Sequence, residues 1–335
     1  MHQNNQHSFE NFIIQCCKSK EWDLRRFLKR QLKKAGFAIQ EDSYRSDRVD
    51  AEKKYGTVHN LLAIRGNPRI CLVAHTDVCR DHSFSRKGGT PDINPVIKDW
   101  AGRQVIQDKD CQYQVGGDDR LGVAINTWLA LNTGYDLAVL FTTDEEVGLI
   151  SAGECRFPEL AKFDLLVQVD RGNKSNQVVS RIGGTQLCSR KTIGRLLKIA
   201  EEMGQPRDEV SGLATDVLMM IRNGVGKEAV NMTCGYHNSF GDSAKEYIEI
   251  AEAKSTLSFV SHIIQYYDLR LDLGEAAEEE KKEEIVGEFD IEQYIQSIST
   301  SIREKKSGKK FRKKRKYIEA IFDIDAYNQE HGFVL

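Results

Sequence analysis

Three consecutive carboxylates lie close behind a short apolar segment in the middle of the chain. Residues 137–141 have the length and apolar character of a buried strand, and Asp144, Glu145 and Glu146 follow near its end. Like charges this close repel one another, so a fold that keeps them together needs a cation nearby. Since the next basic residue is Arg156, a metal ion meets that need better than a local ion pair. On its own, an acidic strand end is equally typical of a solvated loop.

Three further segments of this kind lead into acidic or imidazole side chains. Two of them, residues 70–74 and 165–169, are strand-like apolar runs, and the third ends in a glycine pair. In an open α/β sheet, ligands bind beyond the carboxyl ends of the strands. Four segments that deliver carboxylates or imidazole to such an edge therefore predict a metal site. The residues that these three segments deliver are His75 and Asp77, Asp118 and Asp119, and Asp170.

The ordered motifs HTD, GGDDRLG, DEEVG and VD resemble those of the co-catalytic di-zinc exopeptidases. These include the bacterial leucyl aminopeptidases, peptidase T and related deep-barrel aminopeptidases. The resemblance covers roughly residues 8–272 and implies the α/β, phosphorylase/hydrolase-like zinc exopeptidase fold, with a mostly parallel mixed sheet sandwiched by helices. Relatives of the peptidase T type carry an extra domain between two of their metal ligands. The interval from Asp170 to His237 is too short for it, so no inserted lid domain is expected.

The resemblance also implies a set of metal ligands for two Zn²⁺ ions, with Mn²⁺ or Co²⁺ as alternatives. His75 matches an imidazole ligand, and Asp118 matches the carboxylate that bridges both metals, followed in the family by a cis peptide bond. Glu146 and Asp170 match further carboxylate ligands. For the last ligand, both His237 and Asp242 remain candidates, and the spacing favours His237.

The activity that the resemblance implies is hydrolysis of a peptide or amide bond in a small peptide, most simply by an aminopeptidase. Glu145 matches the general base, and Asp77 matches the carboxylate that fixes the tautomer of His75. Two metals would lower the pKa of a bridging water and give hydroxide near neutral pH. Glu145 would take its proton and return it to the leaving amine. The substrate side chain is not specified by these motifs, although the polar segment 80–112, a loop or short hairpin, could wall a cleft.

Two other classes of function remain open. The chain could be a binding protein that keeps the peptidase fold without turnover, although retention of every motif residue from His75 to Asp170 argues against this. It could also be a polyanion-binding protein that acts through a basic tail. Metal content together with activity on aminoacyl anilides would separate the first of these from a hydrolase.

The composition and the cysteine pattern favour a cytoplasmic protein. The net charge is −2, so no overall field indicates a nucleic-acid or membrane partner. The N-terminus resembles no signal peptide, and no apolar run reaches the length of a membrane span. The eight cysteines contain no CxxC pair, which favours a reduced cytoplasmic protein. The sequence does not specify the oligomeric state.

A change in composition near residue 274 divides the chain. We expect residues 1–273 to form the catalytic domain and residues 274–335 to form a charged C-terminal extension. Within the extension, residues 305–316 include nine Lys or Arg in twelve positions. Because it has little apolar content, the extension cannot bury a core of its own. We expect its basic cluster to contact a polyanion or a partner surface.

Truncation after Leu273 should therefore leave a folded, metal-loaded protein with activity on small peptides similar to that of the full chain. Only the full chain should bind a polyanion such as heparin in a salt-sensitive manner. Circular dichroism, metal analysis and heparin chromatography measure these properties. Residues 317–322 have helical apolar spacing, so an aggregated or metal-free product would show that the extension docks on the domain.

Overall fold

Two helices open the described part of the chain, which in this computed structural model comprises residues 8–45, 57–79, 92–238 and 245–269. They are α1 (Phe9–Lys18) and α2 (Glu21–Lys34). The side chain of Ser8 caps α1 by accepting a hydrogen bond from the amide of Asn11 at 3.3 Å. The sequence predicts one helical region here, whereas the structure divides it, because Ser19 and Lys20 adopt extended backbone between the two helices.

The remaining elements alternate between short strands and helices. The helices are α3 (Gly117–Asn132), α4 (Ile150–Glu154), α5 (Arg190–Glu202), α6 (Asp216–Arg222) and α7 (Ile250–Leu269), with a 3-10 helix at Pro158–Lys162. The strands are β1 (Ala38–Arg45), β2 (Thr57–Arg65), β3 (Ile70–His75), β4 (Pro95–Trp100), β5 (Arg103–Asp108), β6 (Leu137–Thr142), β7 (Leu165–Arg171), β8 (Gln177–Ile182), β9 (Thr185–Gln186), β10 (Asp208–Gly212), β11 (Ala229–Thr233), β12 (Tyr236–His237) and β13 (Tyr247–Glu249).

A large mixed sheet forms the centre of the molecule. Its strand order is β1-β2-β6-β3-β7-β11-β8-β10, and β9 pairs with β8. The four strands β6, β3, β7 and β11 run parallel, with Val73 opposite both Leu140 and Gln168. Antiparallel pairs lie at the margins, where β2 joins β6 and β8 joins β11. Because the central strands are parallel, their carboxyl ends meet at one edge.

Helices bury both faces of this sheet. Every residue of β3 and β6 is buried, and successive side chains point to opposite faces. Leu72 and Val139 join a core with α1, α2, α3, α5 and α7, whereas Val73 and Leu140 join a core with α4, α6 and the 3-10 helix. The expected α/β class, a mixed sheet sandwiched by helices, is confirmed, and the described residues contain no inserted lid domain.

A second, smaller sheet packs against α1, α3 and α7 and has the antiparallel order β12-β13-β5-β4. Its strands β4 and β5 form the hairpin expected within residues 80–112. Strand β13 then pairs with β5, with Ile248 opposite Ile106. The hairpin is therefore joined to the segment that follows His237.

Several sequence predictions fall outside the described residues. These are Asp242, residues 80–91 of the polar segment, and the extension with its basic cluster 305–316. The boundary near residue 273 and the role of the extension stay predictions. Within the described ranges, no helix is long and apolar enough to cross a membrane.

Replacing Gly122 with Ala should destabilise the fold, because α3 packs closely on β7 at this position. A Cβ atom there would lie 2.3 Å from Asp119 Oδ1 and 2.6 Å from the carbonyl oxygen of Val169. Such overpacking typically costs about 1–3 kcal/mol. Thermal unfolding of Gly122→Ala should show a lower Tm than the wild type. Gly134→Ala is the matched control, since its Cβ would meet nothing within 4 Å. Equal melting temperatures for the two variants would contradict this packing argument.

Candidate metal centre

Several of the predicted site residues lie together at the carboxyl edge of the parallel strands, whereas His237 does not. His75 ends β3, Asp170 lies one residue before the end of β7, and residues 144–146 follow β6. Strand β3 lies between β6 and β7 in the sheet. The first turn of α3 brings Asp118 to the same edge, where it contacts His75.

The glycine-rich turn before α3 positions Asp118. Gly116 has a φ of 84°, a left-handed conformation that glycine adopts without steric cost. The peptide bond between Asp118 and Asp119 is cis, as the resemblance implies. The buried carboxylate of Asp119 then accepts hydrogen bonds from the amide of Gly122 at 3.0 Å and from the amide of His75 at 3.3 Å. Asp119 therefore fastens this turn to the end of β3.

A second carboxylate holds the acidic turn after β6. Asp77 is fully buried, and its two oxygens accept hydrogen bonds from the amides of Glu145 at 3.2 Å and Glu146 at 3.3 Å. Within the turn, Asp144 has a φ of 57°, and the amide of Gly148 donates to the carbonyl oxygen of Glu145 at 2.9 Å. The segments after β3 and β6 are thus joined by the side chain of Asp77.

The imidazole of His75 lies at the centre of the site. Its Nδ1 is 3.0 Å from the carbonyl oxygen of Asp77 and 3.4 Å from Asp77 Oδ1. Its Nε2 is 3.0 Å from Asp118 Oδ1 and 3.5 Å from Asp170 Oδ1. With the proton on Nδ1, the Nε2 lone pair faces Asp118 and Asp170, which is the arrangement of a metal-binding imidazole. The nearest contact of Nδ1 is with the main chain of Asp77 and not with its carboxylate.

Asp170 has one oxygen that is held in place and one that faces the site. Oδ2 accepts hydrogen bonds from Thr215 Oγ1 at 2.9 Å and from Gln168 Nε2 at 3.2 Å. Oδ1 is buried and accepts no hydrogen bond from any described residue. A buried acceptor without a donor is costly, so a carboxylate oxygen left in this condition suits a ligand atom.

Glu145 and Glu146 have different surroundings. Glu145 offers a ligand atom within 4.8 Å of ligand atoms of His75 and Asp170. Glu146 accepts two hydrogen bonds from Cys79, from its amide at 3.1 Å and from its thiol at 2.7 Å. The structure therefore groups Glu145 with His75, whereas Glu146 is held by the loop after β3. Their assignment as base and ligand, respectively, stays a prediction.

His237 occupies a separate polar group in the described structure. Its Nε2 lies 2.9 Å from Glu252 Oε2, and its ring stacks on Tyr247 with centroids 5.0 Å apart. Together with Glu249 and Glu252 it forms a second group whose ligand atoms lie within 4.8 Å of one another. Arg103 neutralises Glu249 at 3.0 Å. Since Asp242 lies outside the described residues, the choice between His237 and Asp242 stays open.

Three side chains at the site were not assigned a role from the sequence. Glu246 is fully buried and accepts hydrogen bonds from the amides of Gly116 at 2.6 Å and Asp118 at 3.4 Å. Cys79 holds Glu146, and the buried Asp216 shares the amide of Gln168 with Asp170. The Glu-Tyr pair at residues 246–247 was a usable signal for Glu246. No local pattern marks Cys79 or Asp216, because their contacts are made by chain segments far apart.

Burial and mutual repulsion govern the ionisation of the site. Burial favours neutral His75, but the charge of Asp170 and the hydrogen bond to Asp118 outweigh it and raise the pKa well above its usual range. Burial, followed by the charge of Asp118, raises the pKa of Asp170 to about 7. Burial also raises the pKa of Glu145 well above its usual range, with Asp170 adding to the effect. A divalent cation would counter these shifts, since it favours ionised carboxylates and neutral imidazole.

The donor set therefore fits a divalent metal. Within the described ranges, no Lys or Arg side chain forms an ion pair with the four carboxylates that face this edge, which belong to Asp118, Glu145, Glu146 and Asp170. The buried Asp170 Oδ1 has no donor, and His75 Nε2 points between two carboxylates. One imidazole with several carboxylates is a ligand set that Zn²⁺ accepts and that Mn²⁺ and Co²⁺ also accept.

Comparison with known proteins was made by sequence and by structure. No protein-family model and no curated protein matches the sequence. The fold does match solved structures. The aminopeptidase PepT of Bacillus cereus aligns with a TM-score of 0.59 and 16% identity over 78% of this chain and 98% of that chain. The TET aminopeptidase of a marine-sediment Thaumarchaeota archaeon gives 0.55 and 12% over 79% and 98%.

A third matching structure is that of an enzyme with a different activity. The glutaminyl cyclase of Bacteroides thetaiotaomicron, solved with bound N-acetylhistamine, aligns with a TM-score of 0.55 and 13% identity over 78% of this chain and 98% of that chain. At these identities the likeness concerns the fold. The chain shares the fold of these two aminopeptidases and of this glutaminyl cyclase, so the fold that the resemblance implies is confirmed.

Proposed function

We propose that this chain is a metal-dependent hydrolase that cleaves a peptide or amide bond of a small peptide, acting as an aminopeptidase. The observation that carries the proposal is the convergence of His75 Nε2 on Asp118 and Asp170, with Glu145 beside them, at the carboxyl edge of parallel strands. The fold that the chain shares with aminopeptidases supports the same reaction class.

The residues that would hold the metals are those that the motifs predict. His75, Asp118 and Asp170 meet directly, Glu146 lies beside them, and His237 or Asp242 would complete the set. The proposed occupants are two Zn²⁺ ions, with Mn²⁺ or Co²⁺ as alternatives. When bound, they supply Lewis-acid polarisation of the scissile carbonyl and lower the pKa of water toward neutrality.

The side chains of the chain have separate tasks in this proposal. Glu145 is the general base, which takes a proton from the attacking water and delivers it to the leaving amine. Asp77 fixes the position of Glu145 by accepting a hydrogen bond from its amide at 3.2 Å. Asp77 also keeps His75 in one tautomer through the carbonyl contact at Nδ1. Thr215 and Gln168 orient Asp170 so that its other oxygen faces the site.

The shared fold also supplies a specific alternative. Glutaminyl cyclases have this architecture as well, so cyclisation of an N-terminal glutaminyl residue is the second candidate reaction. A binding protein without turnover is the third. Aminoacyl anilides and a glutaminyl peptide, assayed in parallel on metal-loaded protein, separate the three. We further propose that the protein acts in the cytoplasm and that the basic cluster 305–316 recruits a polyanion or a partner.

Replacing Glu145 with Gln should keep the fold and the bound metal and lower kcat by about 100-fold or more, because the general base is lost. Steady-state kinetics on an aminoacyl anilide and metal analysis of the same sample provide the measurement. Near-wild-type turnover in a metal-replete Glu145→Gln protein would remove Glu145 from this role.

Glu146→Gln is the matched comparison, since it changes the neighbouring carboxylate in the same way. As a ligand variant, it should weaken metal binding and lose activity in proportion to the metal lost. The reverse pattern, with metal lost in Glu145→Gln and kept in Glu146→Gln, would exchange the two roles.

Replacing Asp118 with Ala should remove metal and activity together, because His75 Nε2 and the bridging position both depend on this carboxylate. Metal content by mass spectrometry and hydrolysis rate are measured on one preparation. Asp110→Ala, which removes an exposed carboxylate from the nearby loop, is the control and should behave as the wild type. Normal binding of two zinc equivalents by Asp118→Ala would show that the bridging assignment is wrong.

Zinc titration of His237→Ala against Asp242→Ala identifies the last ligand.

A further inference from the structure

A buried carboxylate lies at the start of α2. Glu21 is the first residue of α2 and is 5% exposed. Glutamate in the first turn of a helix is ordinarily solvated, and a buried glutamate is almost always paired. The partners of Glu21 therefore indicate what it does.

Glu21 joins the two segments that carry the site residues. Its Oε1 accepts a hydrogen bond from Thr76 Oγ1 at 3.1 Å and a second from the hydroxyl of Thr143. Thr76 lies between His75 and Asp77 after β3, and Thr143 lies two residues before Glu145 after β6. Both threonines are buried. One oxygen of Glu21 thus links the segments that follow two neighbouring strands, β3 and β6.

Thr76 has further contacts with the end of β6 and with α2. Its hydroxyl also lies 2.9 Å from the carbonyl oxygen of Thr142, so its single proton serves one acceptor at a time. Arg25, one turn after Glu21 on α2, donates to the same hydroxyl at 3.3 Å. The main chains of Thr76 and Thr142 are hydrogen-bonded at 2.9 Å. Helix α2 therefore contacts the strand ends through two charged side chains.

Stability alone does not account for a carboxylate at this position. Removing a charge from water costs several kcal/mol, and well-packed apolar residues of similar volume often do as well or better. A carboxylate adds directional hydrogen bonds, which fix the positions of two hydroxyl groups relative to each other. Those hydroxyls belong to the segments that deliver His75 and Glu145.

We propose that Glu21 is a positioning residue of the metal centre. By binding Thr76 and Thr143 together, it sets the separation between the β3 end, which carries His75, and the β6 end, which carries Glu145. The inference rests on the proposed metal-binding function. It means that α2 helps to position the metal ligands although none of the proposed ligands belongs to α2.

The test measures zinc affinity in the full-length protein, well below its unfolding temperature. Glu21→Met, which has no acceptor in place of Oε1, and Thr143→Val each remove part of the link and should weaken zinc binding by about tenfold or more, as expected for groups that orient metal ligands. Thr143→Ser restores the hydroxyl and should restore the affinity. Asp23→Ala is the control, because Asp23 lies in the same first turn but is exposed and pairs with Arg26 at 2.5 Å.

A double variant separates positioning from general destabilisation. If both residues act through one contact, Glu21→Met combined with Thr143→Val should lose no more zinc affinity than Thr143→Val alone. A purely structural role predicts a different result, in which Tm falls while the zinc dissociation constant of the folded variants equals that of the wild type. That result, or a failure of Thr143→Ser to restore affinity, would overturn the proposal. The Thr143 variants decide the question even if a Glu21 variant does not fold.

The outcome also distinguishes this inference from the proposed function. A wild-type protein that binds zinc and hydrolyses no peptide would contradict the proposed hydrolase, while the affinities of the variants still decide the role of Glu21. A wild-type protein that binds no zinc would overturn both.

Discussion

Repulsion among carboxylates is the constraint that the site depends on. Four acidic side chains lie at the strand edge that carries one buried imidazole, and no lysine or arginine of the described residues forms an ion pair with them. The protein stabilises them instead with neutral donors: Thr215 and Gln168 bind Asp170, and Cys79 binds Glu146. Neutral donors fix positions without cancelling charge. The negative charge that remains is available for a metal, whereas a lysine or arginine would have occupied that place.

A second set of acidic residues holds the chain segments together. Asp77, Asp119 and Glu246 are buried and accept hydrogen bonds from main-chain amides of neighbouring turns. Each of these carboxylates satisfies main-chain amides in the loops that would otherwise be buried without partners, as hydrogen bonds between neighbouring strands do within a sheet. The acids of this edge therefore divide into those that face His75 and those that fasten the backbone.

The sequence predicts the α/β fold, whereas the set of site residues comes from the resemblance and stays a prediction. Apolar strands that end in His75 and Asp170 identify a sheet edge, whereas the turn residues within 80–112 are compatible with either a loop or a short hairpin. Local patterns do not separate the two kinds of acid, since Asp118 and Asp119 are adjacent, and only the resemblance implies that Asp118 is the ligand. The sequence also gives no indication of the role of Glu21. Along the chain it is an ordinary acidic residue in the first turn of a helix, and its partners lie more than fifty positions away. The placement of His237 depends on contacts with Glu252 and Tyr247 that only packing brings about.

The small sheet has a consequence for how this architecture tolerates insertions and deletions. The turn between β4 and β5 uses left-handed backbone at Ala101 and Gly102 and projects from the sheet, so its length can change without disturbing the strands beside it. Strand β5 is different, because it pairs with β13, and β13 begins directly after Glu246, which holds the turn at Asp118. A lineage could lengthen the tip of the hairpin, which lies at the other end of β5 from Glu246, while the register of β5 stayed fixed. Variation at the tip and constancy at the base are thus the pattern that this arrangement of strands permits.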